Sequence, residues 1–203
     1  MLSKRIAVIL TLAALARAAF AQDQREWGQC IGREGPIPEV VIKGCSQIIE
    51  DTQNAPQILA TAHNNRGVAY RLKGEYDLAL NDYNEAIRLN HNSATYYNNR
   101  GIIYRHKHDY DRAIAEYDEA IWLKGDYVAA YYNRALAYSD KGEYDKALTD
   151  FGVVLQFNPR NALALYARGI TFLKKGNAEP ANADIDAARA INPNIANEFD
   201  QSQ

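Results

Sequence analysis

The chain has 203 residues, enough for one or two globular domains, and carries 23 basic against 25 acidic residues for a formal net charge of −2. That balance leaves no basic stripe for nucleic acid. Once Lys4, Arg5 and Arg17 depart with the N-terminal leader described next, the remainder is net acidic, which also disfavours phosphate-rich partners and anionic membranes.

The first 21 residues read as a secretory signal peptide. Lys4 and Arg5 form a basic start, Ile6 to Ala16 an apolar stretch, and Ala19-Phe20-Ala21 an A-x-A site before the polar switch at Gln22, so cleavage is expected after Ala21. The alternative, a membrane anchor, needs roughly 20 apolar residues, and this run is far shorter. The mature protein is therefore expected in the periplasm or outside the cell, with no stable membrane anchor. No Cys directly follows the cleavage point, where Gln22 stands, so no lipid anchor is expected, and the Lys4-Arg5 pair is not a twin-arginine signal. Export gives meaning to Cys30 and Cys45, the only two cysteines. An even count in an exported chain favours a disulfide over a redox or metal site, and closing this loop contributes roughly 3 kcal/mol on the chain-entropy argument. Two separate buried thiols are the alternative.

Residues 22–36 are polar and glycine-containing, with Trp27 as the one large apolar anchor; a short helical turn held by Cys30 and then a loop is expected. Pro36 and Pro38 lead into a helix from about Glu39 to Asp51, since proline is tolerated in a first turn and not later. Thr52 to Pro56 is a linker. From residue 60 the sequence repeats with a period of 34: Asn65-Arg66-Gly67 with Tyr70, Asn99-Arg100-Gly101 with Tyr104, Asn133-Arg134-Ala135 with Tyr138, Ala167-Arg168-Gly169 with Phe172. A fixed period in this range marks a stacked repeat protein. The units are 60–93, 94–127, 128–161 and 162–195, followed by a cap and tail at 196–203.

Within the units, Ala79, Ala113, Ala147 and Ala181 share one column. Tyr83, Tyr117, Phe151 and Ile185 stand four places later, followed by Ala86, Ala120, Val154 and Ala188. Spacings of four and three with small and large residues alternating suit two closely crossing helices, so each unit is a helical hairpin. Its turn falls at Lys73-Gly74-Glu75, Lys107-His108-Asp109, Lys141-Gly142-Glu143 and Lys175-Gly176-Asn177, with glycine in three of the four where a left-handed residue closes a helix. The second helices start near Tyr76, Tyr110, Tyr144 and Ala178. Val41, Cys45 and Ile48 fall on the same columns, which makes 27–51 a degenerate half-repeat capping the first full unit. Beyond Pro193, Ile195 to Phe199 is expected to add a short capping helix and Asp200 to Gln203 to fray.

On these residues the chain resembles the tetratricopeptide repeat family over about two thirds of its length. It departs from that pattern at Ala135, and at His91 and Gly125 where the closing Pro159 and Pro193 stand in later units. The resemblance implies an all-α solenoid of antiparallel helix hairpins: four full repeats, an N-terminal half-repeat cap in 22–59, and partner binding on a concave face lined by first helices. By position that face takes Thr61, Asn64, Asn65, Val68 and Arg71 from the first unit and Thr95, Asn98, Asn99, Ile102 and Arg105 from the second. The third supplies Ala129, Tyr132, Asn133, Leu136 and Ser139, the fourth Leu163, Tyr166 and Ile170. Repeated Asn65, Asn99 and Asn133 suit gripping an extended backbone, because an amide both donates and accepts; hydrogen bonding to the adjacent repeat is the alternative.

Arg66, Arg100, Arg134 and Arg168 each precede an acid by sixteen residues, Asp82, Glu116, Asp150 and Asp184. An ion-pair ladder within hairpins accounts for them; the alternative is a clamp on a ligand carboxylate. His106 and His108 form an H-x-H without a third ligand, so no metal is expected. No cofactor is expected either. With no phosphate loop or nucleophile elbow, a small exported enzyme is the weakest reading. The expected function is a non-catalytic protein-interaction scaffold binding a protein or extended peptide, with self-assembly into homo-oligomers as the alternative.

Overall fold

The structure is a computed structural model that describes residues 24–32, 37–51 and 54–202. The leader at 1–21, Pro36, the Thr52-Gln53 part of the linker and Gln203 lie outside the described residues. All described structure is helix and turn, without a strand among the described residues. The chain divides into two compact units, one ending at His91 and the other beginning at Asn92.

The first unit holds α1 (24–30), α2 (Pro38–Glu50), α3 (Pro56–Leu72) and α4 (Tyr76–Leu89). α2 begins on Pro38, whose fixed φ suits a first turn and whose missing N–H would have had no intrahelical partner. Val41, Cys45 and Ile48 are buried with Cys30, Ala62 and Ala69 in one core, with Trp27 packed against it. This core joins α1 and α2 to α3. The Cys30–Cys45 disulfide lies inside it, at a Cα–Cα separation of 4.5 Å. Gly44 makes that approach possible, since a Cβ there would lie 2.6 Å from Gln29 Cβ.

The second unit holds α5 (Ala94–His106), α6 (Tyr110–Leu123), α7 (Val128–Lys141), α8 (Tyr144–Phe157), α9 (Ala162–Lys175), α10 (Ala178–Ile191) and α11 (Ile195–Ser202). Successive pairs form antiparallel hairpins. α7 and α9 each also pack on the preceding hairpin, so α5, α7 and α9 lie side by side as one row of a helical stack. α11 rests on α9, where a further first helix would begin. The helix runs to Ser202, with Ile195 fully buried and the Phe199 ring 5.3 Å from the Tyr166 ring.

The hairpins close through one repeated contact. Ala79, Ala113, Ala147 and Ala181 are fully buried, as are Tyr83, Tyr117 and Phe151. A Cβ built on Gly67 or Gly101 would lie 2.7 Å from Cε1 of Tyr83 or Tyr117, and one on Gly169 would lie 2.7 Å from Ile185 Cγ1. At three of the four hairpin turns a glycine takes a positive φ (Gly74, Gly142, Gly176), and at the other His108 adopts φ 58° with its Nδ1 2.9 Å from the Tyr110 hydroxyl.

Gly101→Ala is expected to lower stability by about 1–3 kcal/mol through overpacking against the Tyr117 ring. Ala135→Gly, facing Phe151 instead, is expected to cost no more than the ~1 kcal/mol of helix propensity. Denaturant titration of both variants checks this; equal losses would remove the ring contact as the cause.

Candidate partner-binding interface

The ladder comes first because it fixes the first helices. Arg66 Nε and Nη2 donate to Asp82 Oδ2 and Oδ1 at 2.9 and 2.8 Å. Arg134 pairs with Asp150 at 2.7 and 2.8 Å, and Arg168 with Asp184 at 2.6 and 2.8 Å. Arg100 reaches Glu116 at 2.8 Å through Nη2. These are the sixteen-residue pairs expected from the sequence. Arg66 Nη1 also donates to Ser46 of α2 at 2.9 Å and Arg134 Nη1 to Asp118 of α6 at 2.5 Å, so the same guanidinium joins its hairpin to the one before.

Two of these acids differ in environment. Burial pushes the Asp82 carboxyl up, but hydrogen bonds from Arg66 and then His63 outweigh it and hold it below the usual carboxylate range. His63 Nδ1 lies 2.8 Å from Asp82 Oδ1. Burial wins at Glu116, which is raised against the pull of Arg100, and its Oε2 is buried with no hydrogen-bond partner among the described residues.

A second set of ties is less apparent in the sequence. Lys141 reaches back to Asp111 at 2.7 Å, Lys175 pairs with Asp145, and Lys73 lies 3.5 Å from Glu39. The signal was the turn lysine itself, which recurs at the period with an acid thirty or more residues earlier. Being exposed, each such pair is screened by solvent and adds little to stability.

The twelve groove residues fall into three groups. Asn64, Asn98 and Leu136 are buried. Asn65, Val68, Arg71, Asn99 and Ile102 are half-buried on α3 and α5. Arg105, Tyr132, Asn133 and Tyr166 are also half-buried, and each contacts a neighbouring helix of the second unit. Asn133 Nδ2 donates to Asn98 Oδ1 at 2.9 Å, joining α7 to α5. Arg105 Nε donates to Asp140 Oδ2 at 2.9 Å, and Lys174 stands 3.6 Å from the other oxygen. Asn64 Nδ2 donates to Asn65 Oδ1 at 3.1 Å. Tyr166 is covered on one side by Phe199 of α11, a contact with no signal at the repeat period.

One open cavity of about 300 Å³ forms between α7, α8 and α9. Val128, Ala129, Tyr132, Val154 and Leu163 give it apolar walls, and Asn133 and Asn161 add amides to its lining. The Tyr132 ring packs edge-on to Phe151, and its hydroxyl is buried with no hydrogen-bond partner among the described residues. Burial pushes that phenol up to about 12, so it remains a neutral donor at physiological pH. Among the described residues no three His, Cys, Asp or Glu side chains stand together as a metal site, and no helix is long and apolar enough to cross a membrane.

A tetratricopeptide repeat family model matches residues 60–93, a second matches 82–115, and a TPR repeat model matches 103–142 and 137–176. Together they span 60–176, more than half of the chain. Comparison with curated protein sequences finds no match. Among solved structures, one of MamA is 22% identical with TM-score 0.67, covering 79% of this chain and 91% of that one. Another MamA structure reaches TM-score 0.69 at 20% identity, covering 87% and 94%. YrrB, described as a TPR protein with an unusual peptide-binding site, is 23% identical with TM-score 0.64, covering 81% and 84%. At these identities the likeness is one of fold.

The two carboxylates make opposite predictions. A carboxyl held low stabilises the fold above its unfolded value, and that contribution is lost as pH falls through the lowered value; a raised one loses stability as pH climbs through it. Asp82→Asn is therefore expected to cost about 3 kcal/mol at pH 7, narrowing below about pH 4. Glu116→Gln is expected to cost under about 1 kcal/mol at pH 7. Urea unfolding of both variants between pH 3 and 7 checks the signs.

Proposed function

The chain belongs to the tetratricopeptide repeat family, and we propose that it is an exported, non-catalytic interaction module that takes an extended segment of a partner protein along its first helices. The observation that carries this reading is the open cavity at Ala129, Tyr132, Asn133 and Leu163. Four positions assigned to the groove from sequence converge there on one apolar recess of side-chain size. A large apolar side chain of the partner fits the recess, while Asn133 and Asn161 in its lining offer the flanking backbone what their amides do not spend on the fold. Peptide binding by YrrB is in keeping with such a use of the fold.

Asn98 and Asn133 spend one donor and one acceptor on each other, so in the second unit the amides brace helices first and meet a partner with what remains. Export draws support from the leader pattern of residues 1–21 and from the Cys30–Cys45 bridge, a bond that persists in oxidising compartments. Self-assembly is a second reading, favoured by Trp122, which is 77% exposed on α6, and by Phe157, 57% exposed at the end of α8.

Ala129→Glu sets a charge at the rim of the recess without touching the buried columns. It is expected to reduce capture of the partner from an envelope extract at least tenfold with helicity and melting unchanged. Undiminished capture would move the site elsewhere. Sedimentation of Trp122→Ser against the parent decides the second reading, since concentration-dependent oligomers that vanish in the variant would establish it. For export, intact mass from the envelope fraction should place the N-terminus at Gln22 and show no thiol open to alkylation without reductant; an unprocessed chain would overturn it.

A further inference from the structure

One cation of the first unit stands apart from the ladder. Arg71 lies in the last turn of α3, one turn beyond Gly67 on the same helix face. Gly67 is where the Tyr83 ring approaches α3: a Cβ there would lie 2.7 Å from Cε1 and 3.1 Å from Cζ, the carbon that bears the hydroxyl. Tyr83 is fully buried, and its hydroxyl has no hydrogen-bond partner among the described residues. Burial pushes the phenol up; Arg71 pulls it back, though none of its N–H groups meets the hydroxyl in hydrogen-bond geometry. Arg71 is itself half-buried, so its guanidinium is partly withdrawn from water beside a neutral group.

The other half-buried arginines among the described residues each hold a carboxylate. Arg66, Arg134 and Arg168 grip an aspartate through two donors, and Arg100 reaches Glu116. Arg105, one period after Arg71, donates to Asp140, 35 residues further on. At the same interval after Arg71 the sequence has His106 in place of an acid. The acids of the first unit serve other cations: Asp82 holds Arg66 and His63, Glu39 and Glu75 hold Lys73, and Glu85 holds Arg88. No carboxylate among the described residues pairs with Arg71.

A guanidinium so placed is matched best by a carboxylate, which its planar fork holds through two parallel hydrogen bonds. The groove reaches it along one stripe of α3, where Thr61, Asn65, Val68 and Arg71 follow at helical spacing and are all half-buried. We propose that Arg71 is where the groove reads charge, taking the carboxylate of an Asp or Glu side chain in a partner segment that lies along α3. This rests on the groove reading above and adds the chemistry of the partner, which is acidic at this point. The Tyr83 phenol beneath stays neutral, so no charge of its own competes for the guanidinium.

Random peptides displayed on phage through their C-termini carry side-chain carboxylates and no free chain end. Panned on the full chain, they should return binders with an Asp or Glu at one fixed position. For the tightest, made as a C-terminal amide, replacing that acid by its amide should weaken binding about tenfold; Arg71→Gln should do the same, and both together should cost no more than either alone. Arg71→Glu should prefer the peptide with Lys in place of the acid. Circular dichroism and melting check that each variant folds; should Arg71→Gln melt early, Arg71→Lys keeps the charge over Tyr83 and should keep the preference for the acid. Binders without a fixed acid, or an equal loss on replacing the acid in the parent and in Arg71→Gln, would overturn the proposal. Binders abolished by Ala129→Glu but untouched by Arg71→Gln would overturn it with the groove left standing, and a panning that returned no binder would remove both.

Discussion

The contact between a small residue on each first helix and a ring or branched chain on its partner is the constraint from which the rest follows. Gly67 and Gly101 admit Tyr83 and Tyr117 so closely that a methyl group would strike the ring, and Gly169 does the same for Ile185. Such an approach sets the crossing of the two helices, and the crossing sets which faces remain for neighbours. Because α7 and α9 are each pinned on their own second helix and on the preceding hairpin, α5, α7 and α9 line up as one row. The third hairpin of the series shows the same logic from the other side. There Phe151 replaces tyrosine, and Ala135 takes the place of glycine.

Once the crossing is set, the arginine ladder solves the problem it creates. A guanidinium and a carboxylate at the edge of a close crossing are partly withdrawn from water, and neither is stable there alone. Asp82, Asp150 and Asp184 accept two hydrogen bonds each from one arginine, geometry in which planar donors and acceptors match. Glu116 is longer by one methylene and makes a single bond, so burial dominates its electrostatics. The ladder is thus a set of four local solutions that differ in quality, and the second hairpin carries the least complete one.

Legibility in the sequence followed the period. The columns at Ala79, Tyr83 and Ala86, the turn glycines and the ladder were all readable because each recurs every 34 residues and each has a single physical reason to recur. The burial of Val41, Cys45 and Ile48 was readable for the same reason, since burial on one helix face leaves the same spacing even where the residue types drift. What escaped was aperiodic or chemically two-sided. His63 replaces an aromatic or aliphatic residue in its column and bonds Asp82, which no spacing announces. Phe199 caps Tyr166 from a helix beyond the last complete hairpin. Asn98 and Asn133 carry groups equally fit for a peptide or for each other, and only coordinates divide donor from acceptor.

That division bears on where recognition resides. Residues that keep the period are the ones the fold consumes: arginines in ladders, alanines in crossings, asparagines in braces between first helices. On the reading proposed above, a partner would be distinguished where the residue types vary from unit to unit. The column Thr61, Thr95, Ala129, Leu163 changes from hydroxyl to aliphatic along the chain, and the column Asn64, Asn98, Tyr132, Tyr166 changes from amide to phenol. Both changes fall between the second and third repeats, and the apolar recess opens at the residues that follow them. A segment lying along the second unit would therefore meet a polar floor at α5 and an apolar one at α7 and α9. Its direction of binding would be set by which of its ends carries the large apolar side chain.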